Sequence, residues 1–172
     1  MGSNIVLTGF MGTGKSTIGK CIAARLGRKF IDTDTLVEQK SGKTIAALFM
    51  ERGEHYFRIL EQEAIDQVCT EDGSVVATGG GALVNEENVR KLKASGTVIC
   101  LTATPEIILS RVQGNRDRPL LQSDKPLEKI RMLLAARADT YAKADLTIDT
   151  SYLNVEVVVE KICSRLLTSL RT

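Results

Sequence analysis

The chain holds a single histidine, and its four cysteines, Cys21, Cys69, Cys100 and Cys163, lie far apart with no CxxC pair among them. That scarcity of imidazole and thiolate ligands argues against a zinc site. The cysteines read as small buried apolar residues, with a disulfide left open. Aromatic residues make up only 4% of the chain, which leaves little for stacking the bases of a nucleic acid. No excess of charge of one sign exists either: 23 Lys and Arg against 21 Asp and Glu leave a net charge of +2. That balance gives no general attraction to nucleic acid or to a membrane surface. No apolar run approaches the ~20 residues that span a bilayer, and the N-terminus lacks a charged segment followed by a signal-like apolar stretch. The expectation is a cytoplasmic protein with no nucleic-acid or membrane partner, in which any anion site is a local arrangement.

What is present is ordinary globular material. The 172 residues are 43% hydrophobic and 26% charged, enough for one sizeable core and within the usual size of one domain. Residues 4–8 form a short β-rich run that meets a glycine-rich stretch, after which Ile18, Ile22 and Leu26 recur at helical spacing. Gly27 suits the end of that helix. A second strand is expected over 29–31, feeding Asp32 and Asp34. Residues 36–69 read as two or three helices broken near Ser41-Gly42 and at Gly53. Further strands are expected over 74–77, 97–101 and 146–148, with helices from Pro105, over 127–142 and over 155–170. Residues 113–123 show no periodicity and read as a mobile loop, a candidate lid. Strands alternating with helices imply an α/β fold with a parallel sheet, its ligands bound at the carboxyl ends of the strands.

The segment Gly9-Phe10-Met11-Gly12-Thr13-Gly14-Lys15-Ser16-Thr17 fits GxxxxGK[ST] in the required context, after a strand and before a helix. Glycines there let successive backbone N–H groups point at phosphate oxygens, and the helix N-terminus adds positive partial charge. Gly12, Thr13, Gly14, Lys15, Ser16 and Thr17 are therefore expected to bind a nucleotide, with Lys15 at the β- and γ-phosphates and Ser16 on Mg²⁺. Asp32 and Asp34, one residue apart, face one side of an extended segment and are expected to divide metal and acceptor duties. Arg58 and Glu61 lie three apart on a helix. They fit a surface ion pair, and equally an arginine held in one rotamer to grip a carboxylate.

Taken together, GFMGTGKST at 9–17, DTD at 32–34, GEHYFRILE at 53–61, TGGG at 78–81, RDRPLL at 116–121 and AARADTY at 135–141 resemble the shikimate kinase family. This family belongs to the nucleoside monophosphate kinase-like P-loop group, and the resemblance covers nearly the whole chain. It implies a single three-layer P-loop domain with a five-stranded parallel sheet, an acceptor-binding helical region about 33–61 and a lid about 113–123. It further implies that Asp34, Arg58, Gly80 and Arg137 bind shikimate, with Phe49 and Phe57 as pocket walls. Asp32 would act with Ser16 around Mg²⁺, through water. Arg118 would reach the phosphates and Arg111 would lie near adenine, with Lys15, Asp34 and Arg118 as the catalytic set. A monomer using ATP and Mg²⁺ is expected. The chain departs from the family at Val155, where many members carry a proline near adenine, and His55 matches no catalytic position. Two rivals remain: a gluconate-type small-acid kinase, and a nucleotide-binding regulatory domain without turnover. Arginines at 58 and 137 speak against the first, and the retained Lys15, Asp32, Asp34 and Arg118 against the second.

Overall fold

The computed structural model describes residues 3–113 and 124–169. Its first strand, β1 (Asn4–Thr8), is buried along its whole length. Covered on both faces, it shows a near-continuous apolar run rather than alternation. The chain leaves β1 at Gly9, with φ +128°, where a Cβ would stand 2.1 Å from the carbonyl oxygen of Leu101. Only glycine lets the loop pass the neighbouring strand this closely. Helix α1 (Lys15–Leu26) follows, ended by Gly27 in the left-handed region. The order continues as β2 (Phe30–Asp32), α2 (Thr33–Ser41), α3 (Ile45–Cys69), β3 (Val75–Ala77), a 3₁₀ turn (Ala82–Val84), α4 (Glu86–Ser95) and β4 (Gly96–Thr102). Then come α5 (Pro105–Val112), α6 (Pro126–Ala136), α7 (Ala138–Tyr141), β5 (Leu146–Asp149) and α8 (Val155–Ser169).

The five strands pair in the order β2-β3-β1-β4-β5, every pairing parallel. The pleat sends Ile5 and Leu7 to one face and Val6 to the other. Ile5 and Leu7 pack with Ile18 and Ile22 of α1 and Val158 and Ile162 of α8. Val6 and Val76 pack with Ile65 and Val68 of α3 and Leu92 of α4. The result is a three-layer α/β sandwich with β1 at its centre, and burial of each such aliphatic side chain contributes about 1.5–3 kcal/mol. No helix among the described residues is long and apolar enough to cross a membrane.

The expected helix breaks fall where anticipated: Gly42 ends α2 at φ 67°, and Gly53, at φ 77° and ψ 174°, kinks α3. Four expectations need correction. The second strand starts at Phe30 and runs to Asp32 rather than covering 29–31. The single helix expected over 127–142 is two, α6 and α7, parted at Arg137, whose φ of −108° and ψ of 3° leave the helical region. Helix α4 was not anticipated, because Val89 and Leu92 are its only buried apolar residues and its sequence is otherwise charged or polar. Of the cysteines only Cys100 is buried; Cys21 is exposed on α1, and all four are free thiols. The expected lid lies, apart from Gln113, outside the described residues.

Asn4 locks the amino end of β1 in place. It is 2% exposed, its Oδ1 accepts from the Ser74 N–H at 2.8 Å, and its Nδ2 donates to the Glu71 carbonyl at 2.8 Å. One side chain thus joins the end of α3, the approach to β3 and the central strand. Asn4→Ala would leave a buried N–H and a carbonyl without partners. It is expected to destabilise the fold by about 2–3 kcal/mol, seen as a lower urea midpoint at unchanged slope.

Candidate active site

The carboxyl edge of the sheet gathers the glycine-rich loop from β1, the Asp32–Asp34 turn from β2 and Gly79–Gly81 from β3. Helix α1 begins at Lys15 with Gly14 as its N-cap, and neither a side-chain cap nor an acidic residue occupies its first turn. The positive end of the helix is thus left to a ligand, and an anion is the chemistry it suits. Lys15 Nζ donates to the carbonyls of Gly9 and Phe10 at 2.8 and 2.9 Å, which holds the ammonium over the loop. Thr13 is fully buried and donates its hydroxyl to the Phe10 carbonyl, so its side chain braces the turn. Beneath lies Cys100, whose thiol burial pushes up to about 11 against the pull of Lys15. It stays neutral and leaves the charge at the loop to the lysine.

Asp32 and Asp34 do not share the face of an extended segment, as their spacing suggested. Asp32 ends β2 and caps α2, its Oδ1 accepting from the N–H groups of Asp34 and Thr35, while Asp34 already sits in the first helical turn. The other Asp32 oxygen accepts from Ser16 Oγ at 2.7 Å. A carboxylate joined to a hydroxyl at a phosphate loop is an oxygen-only donor pair that suits Mg²⁺, which binds to one or two protein oxygens, phosphates and water. No cluster of three or more His, Cys, Asp or Glu able to hold a metal exists among the described residues.

Gly79 to Gly81 line the cavity beside the phosphate loop. A Cβ at Gly79 would stand 2.7 Å from Glu61 Oε1 and 2.8 Å from Asp34 Oδ1, and one at Gly81 would stand 2.7 Å from both terminal nitrogens of Arg58. Gly79 N–H is received by the buried Thr33 hydroxyl at 3.2 Å. Arg58 is held from three sides: Nη1 on Glu61 at 2.7 Å, Nη2 on Glu54 at 2.9 Å, and Cζ at 5.3 Å from the centroid of the Phe57 ring. Glu61 is only 2% exposed, so the pair is no surface ion pair; the arginine is fixed by a buried carboxylate. Burial works against the Arg58 charge, yet Glu61 and Glu54 outweigh it and its pKa rises. For Glu61 burial wins: its carboxyl rises above its ordinary value although Arg58 pulls the other way, and Asp34 adds to the rise.

Arg137 closes the opposite wall, Nη1 on the Gly80 carbonyl at 3.3 Å and Cζ 5.6 Å from the Phe10 ring centroid. Tyr141, which sequence reasoning quoted without giving it a part, donates to the same carbonyl at 2.8 Å. Burial raises its pKa against a hydrogen bond with Arg137, so it remains a donor. Phe49 and Phe57 pack with centroids 4.8 Å apart. They line, with Lys15, Asp34, Arg58 and Arg137, one cavity of about 270 Å³. Arg111 is not in it. It lines a second cleft, of about 350 Å³, and the two share Gly12, Gly14 and Thr17 of the loop. His55 is exposed, and Arg118 lies outside the described residues.

A phosphate loop whose cavity continues into a pocket walled by two arginines and a carboxylate defines a P-loop small-molecule kinase. A family model described as shikimate kinase matches residues 11–167. A shikimate kinase of Geobacter sulfurreducens is 50% identical over 95% of this chain and 90% of its own. One of Thermoanaerobacter pseudethanolicus is 46% identical over 92% and 93%. Among solved structures, shikimate kinase of Acinetobacter baumannii in complex with shikimate matches with a TM-score of 0.93 at 38% identity, covering 97% of this chain and 94% of its own. The chain belongs to the shikimate kinase family.

The raised carboxyl of Glu61 sets a pH dependence. Because its folded-state pKa lies above that of the unfolded chain, the native state holds the proton in the interval between them, and stability is lost as pH rises through that window. Glu61→Gln removes that dependence. Chemical unfolding of parent and variant across mildly acidic pH is expected to show the difference shifting in favour of the variant as pH rises, and a constant difference would contradict it.

Proposed function

We propose that the chain transfers the γ-phosphoryl group of ATP to the 3-hydroxyl of shikimate, giving shikimate 3-phosphate and ADP. The observation that carries this reading is the placement of Arg58 and Arg137 on either side of Gly80–Gly81, in the cavity that also holds Lys15 and Asp34. Two guanidiniums suit a planar carboxylate at the end of the acceptor away from its reacting hydroxyl. Gripping that end fixes which hydroxyl meets the donor, and positioning is the larger part of what phosphoryl transfer asks of a protein.

Asp34 orients the attacking hydroxyl and accepts its proton. Lys15 sets positive charge against the β- and γ-phosphate oxygens, and Arg118 enters with the same duty from the family resemblance. Ser16 and Asp32 would hold Mg²⁺, which supplies charge neutralisation between the phosphates. The 33–61 helices form the acceptor wall within one kinase domain, and the 113–123 segment acts as a lid excluding water, which otherwise competes as acceptor. Arg111 and the second cleft take the adenine. The protein acts as a cytoplasmic monomer.

A coupled assay of ADP release with shikimate, quinate, gluconate and nucleoside monophosphates is expected to show Mg²⁺-dependent turnover driven by shikimate. Folded protein releasing no ADP above background with shikimate, or turning over faster with gluconate, would overturn the reading.

Arg58→Ala and Arg137→Ala are expected to weaken shikimate binding by about one to two decades, the effect of losing a charged hydrogen-bond partner of about 1.5–3 kcal/mol. Asp34→Asn is expected instead to slow single turnover at saturating substrates, by about 10²-fold, the low end for general-base help in a loose transition state. Equal effects of all three on binding and rate would show the assigned roles to be wrong.

A further inference from the structure

Thr150, the residue after β5, is 2% exposed, and its backbone N–H donates to the Thr102 carbonyl at 2.8 Å, extending the β4–β5 ladder. Its hydroxyl does something a strand end does not need. Oγ1 lies 3.1 Å from the Thr13 carbonyl and 3.0 Å from the Thr102 carbonyl, and it accepts from Arg111 Nη1 at 3.1 Å. Arg111 also donates through Nη2 to the Thr150 carbonyl at 2.7 Å and through Nη1 to the Gly12 carbonyl at 3.2 Å. A hydroxyl has one proton to give and lone pairs to receive. It therefore serves a carbonyl on one side and the guanidinium on the other. Glycine-rich loop, α5 and the end of β5, separated by 99 and 137 residues of sequence, meet on one oxygen atom.

Around that atom lies the second cleft, walled by Ile18, Leu153, Val155 and Arg111. We propose that Thr150 is a positioning residue for the nucleotide: it fixes the guanidinium plane of Arg111 as one wall of the base cleft and holds Gly12–Thr13 in register with it. Base and phosphates are then gripped across one rigid span. The inference rests on the reading that this cleft takes adenine. Shape alone does not fill the role, because valine in place of threonine would fit the space yet turn a methyl group toward two carbonyls and a guanidinium. Without the hydroxyl the guanidinium keeps only the Gly12 and Thr150 carbonyls of its three acceptors, and is held less firmly in the plane that makes it a stacking surface.

The test uses the full chain, with ADP titration and steady-state kinetics in both substrates. Thr150→Val is expected to raise KM for ATP and Kd for ADP about tenfold, the effect of one lost hydrogen bond to a charged group, while KM for shikimate stays at the parent value. Thr150→Ser restores most of the nucleotide affinity. On an Arg111→Ala background Thr150→Val costs less than on the parent, since part of its effect passes through the guanidinium. If Thr150→Val does not fold by circular dichroism, Thr150→Ala carries the same measurements. Unchanged nucleotide affinity, equal loss for both substrates, a serine variant as impaired as valine, or additive effects with Arg111→Ala would each overturn the proposal. A parent that binds no ADP would bring down the functional reading with it, whereas a working parent beside an unaffected variant brings down this proposal alone.

Discussion

The charged side chains of the cavity beside the phosphate loop converge on a stretch of backbone that carries no side chains of its own. Asp34 comes from α2, Arg58 and Glu61 from α3, and Arg137 from the break between α6 and α7. Asp34 and Glu61 lie against Gly79, and Arg58 against Gly81, at distances that a methyl group would not permit, while Arg137 lies against Gly80. Those glycines in turn stand beside the phosphate loop because β3 pairs with β1 in parallel register, Ala77 opposite Leu7. Strand order brings two bare turns together, and the bareness lets charges from three directions share one small cavity.

Burying Glu61 beside Arg58 has a cost that the geometry explains. Taking a carboxylate out of water is unfavourable even with a partner at 2.7 Å, and the upward shift of its pKa reflects that cost. In return the guanidinium gains a fixed direction. Its hydrogen bonds to Glu54 and its position over Phe57 complete a mount that leaves the arginine little rotameric freedom to lose when a ligand arrives.

Much of this was legible in the sequence, and for physical reasons. The phosphate loop announces itself through local backbone demands, and Gly27, Gly42 and Gly53 mark their turns because no other residue adopts those angles easily. What stayed hidden depends on partners distant in the chain. Asn4 reads as an ordinary strand residue until Glu71 and Ser74 stand beside it, and Thr33 until Gly79 does. The Asp32–Asp34 pair misled because spacing alone does not say that Asp32 ends a strand and starts a helix; a capping reading of DTDT would have found it. Helix α4 buries too few apolar residues for periodicity to show.

In the proposed reaction, donor and acceptor are recognised by parts of very different sequence extent. The phosphate cradle is nine consecutive residues, Gly9 to Thr17, one inheritable cassette that tolerates change elsewhere. The proposed acceptor wall is scattered over Asp34, Arg58, Gly79–Gly81 and Arg137, on four separate stretches of the chain. On that reading a change at one wall residue disturbs the glycine floor that the others share, since Asp34 and Glu61 lie against Gly79, Arg137 against Gly80 and Arg58 against Gly81. Fitting that wall to a differently shaped acid calls for coordinated replacement at several distant codons.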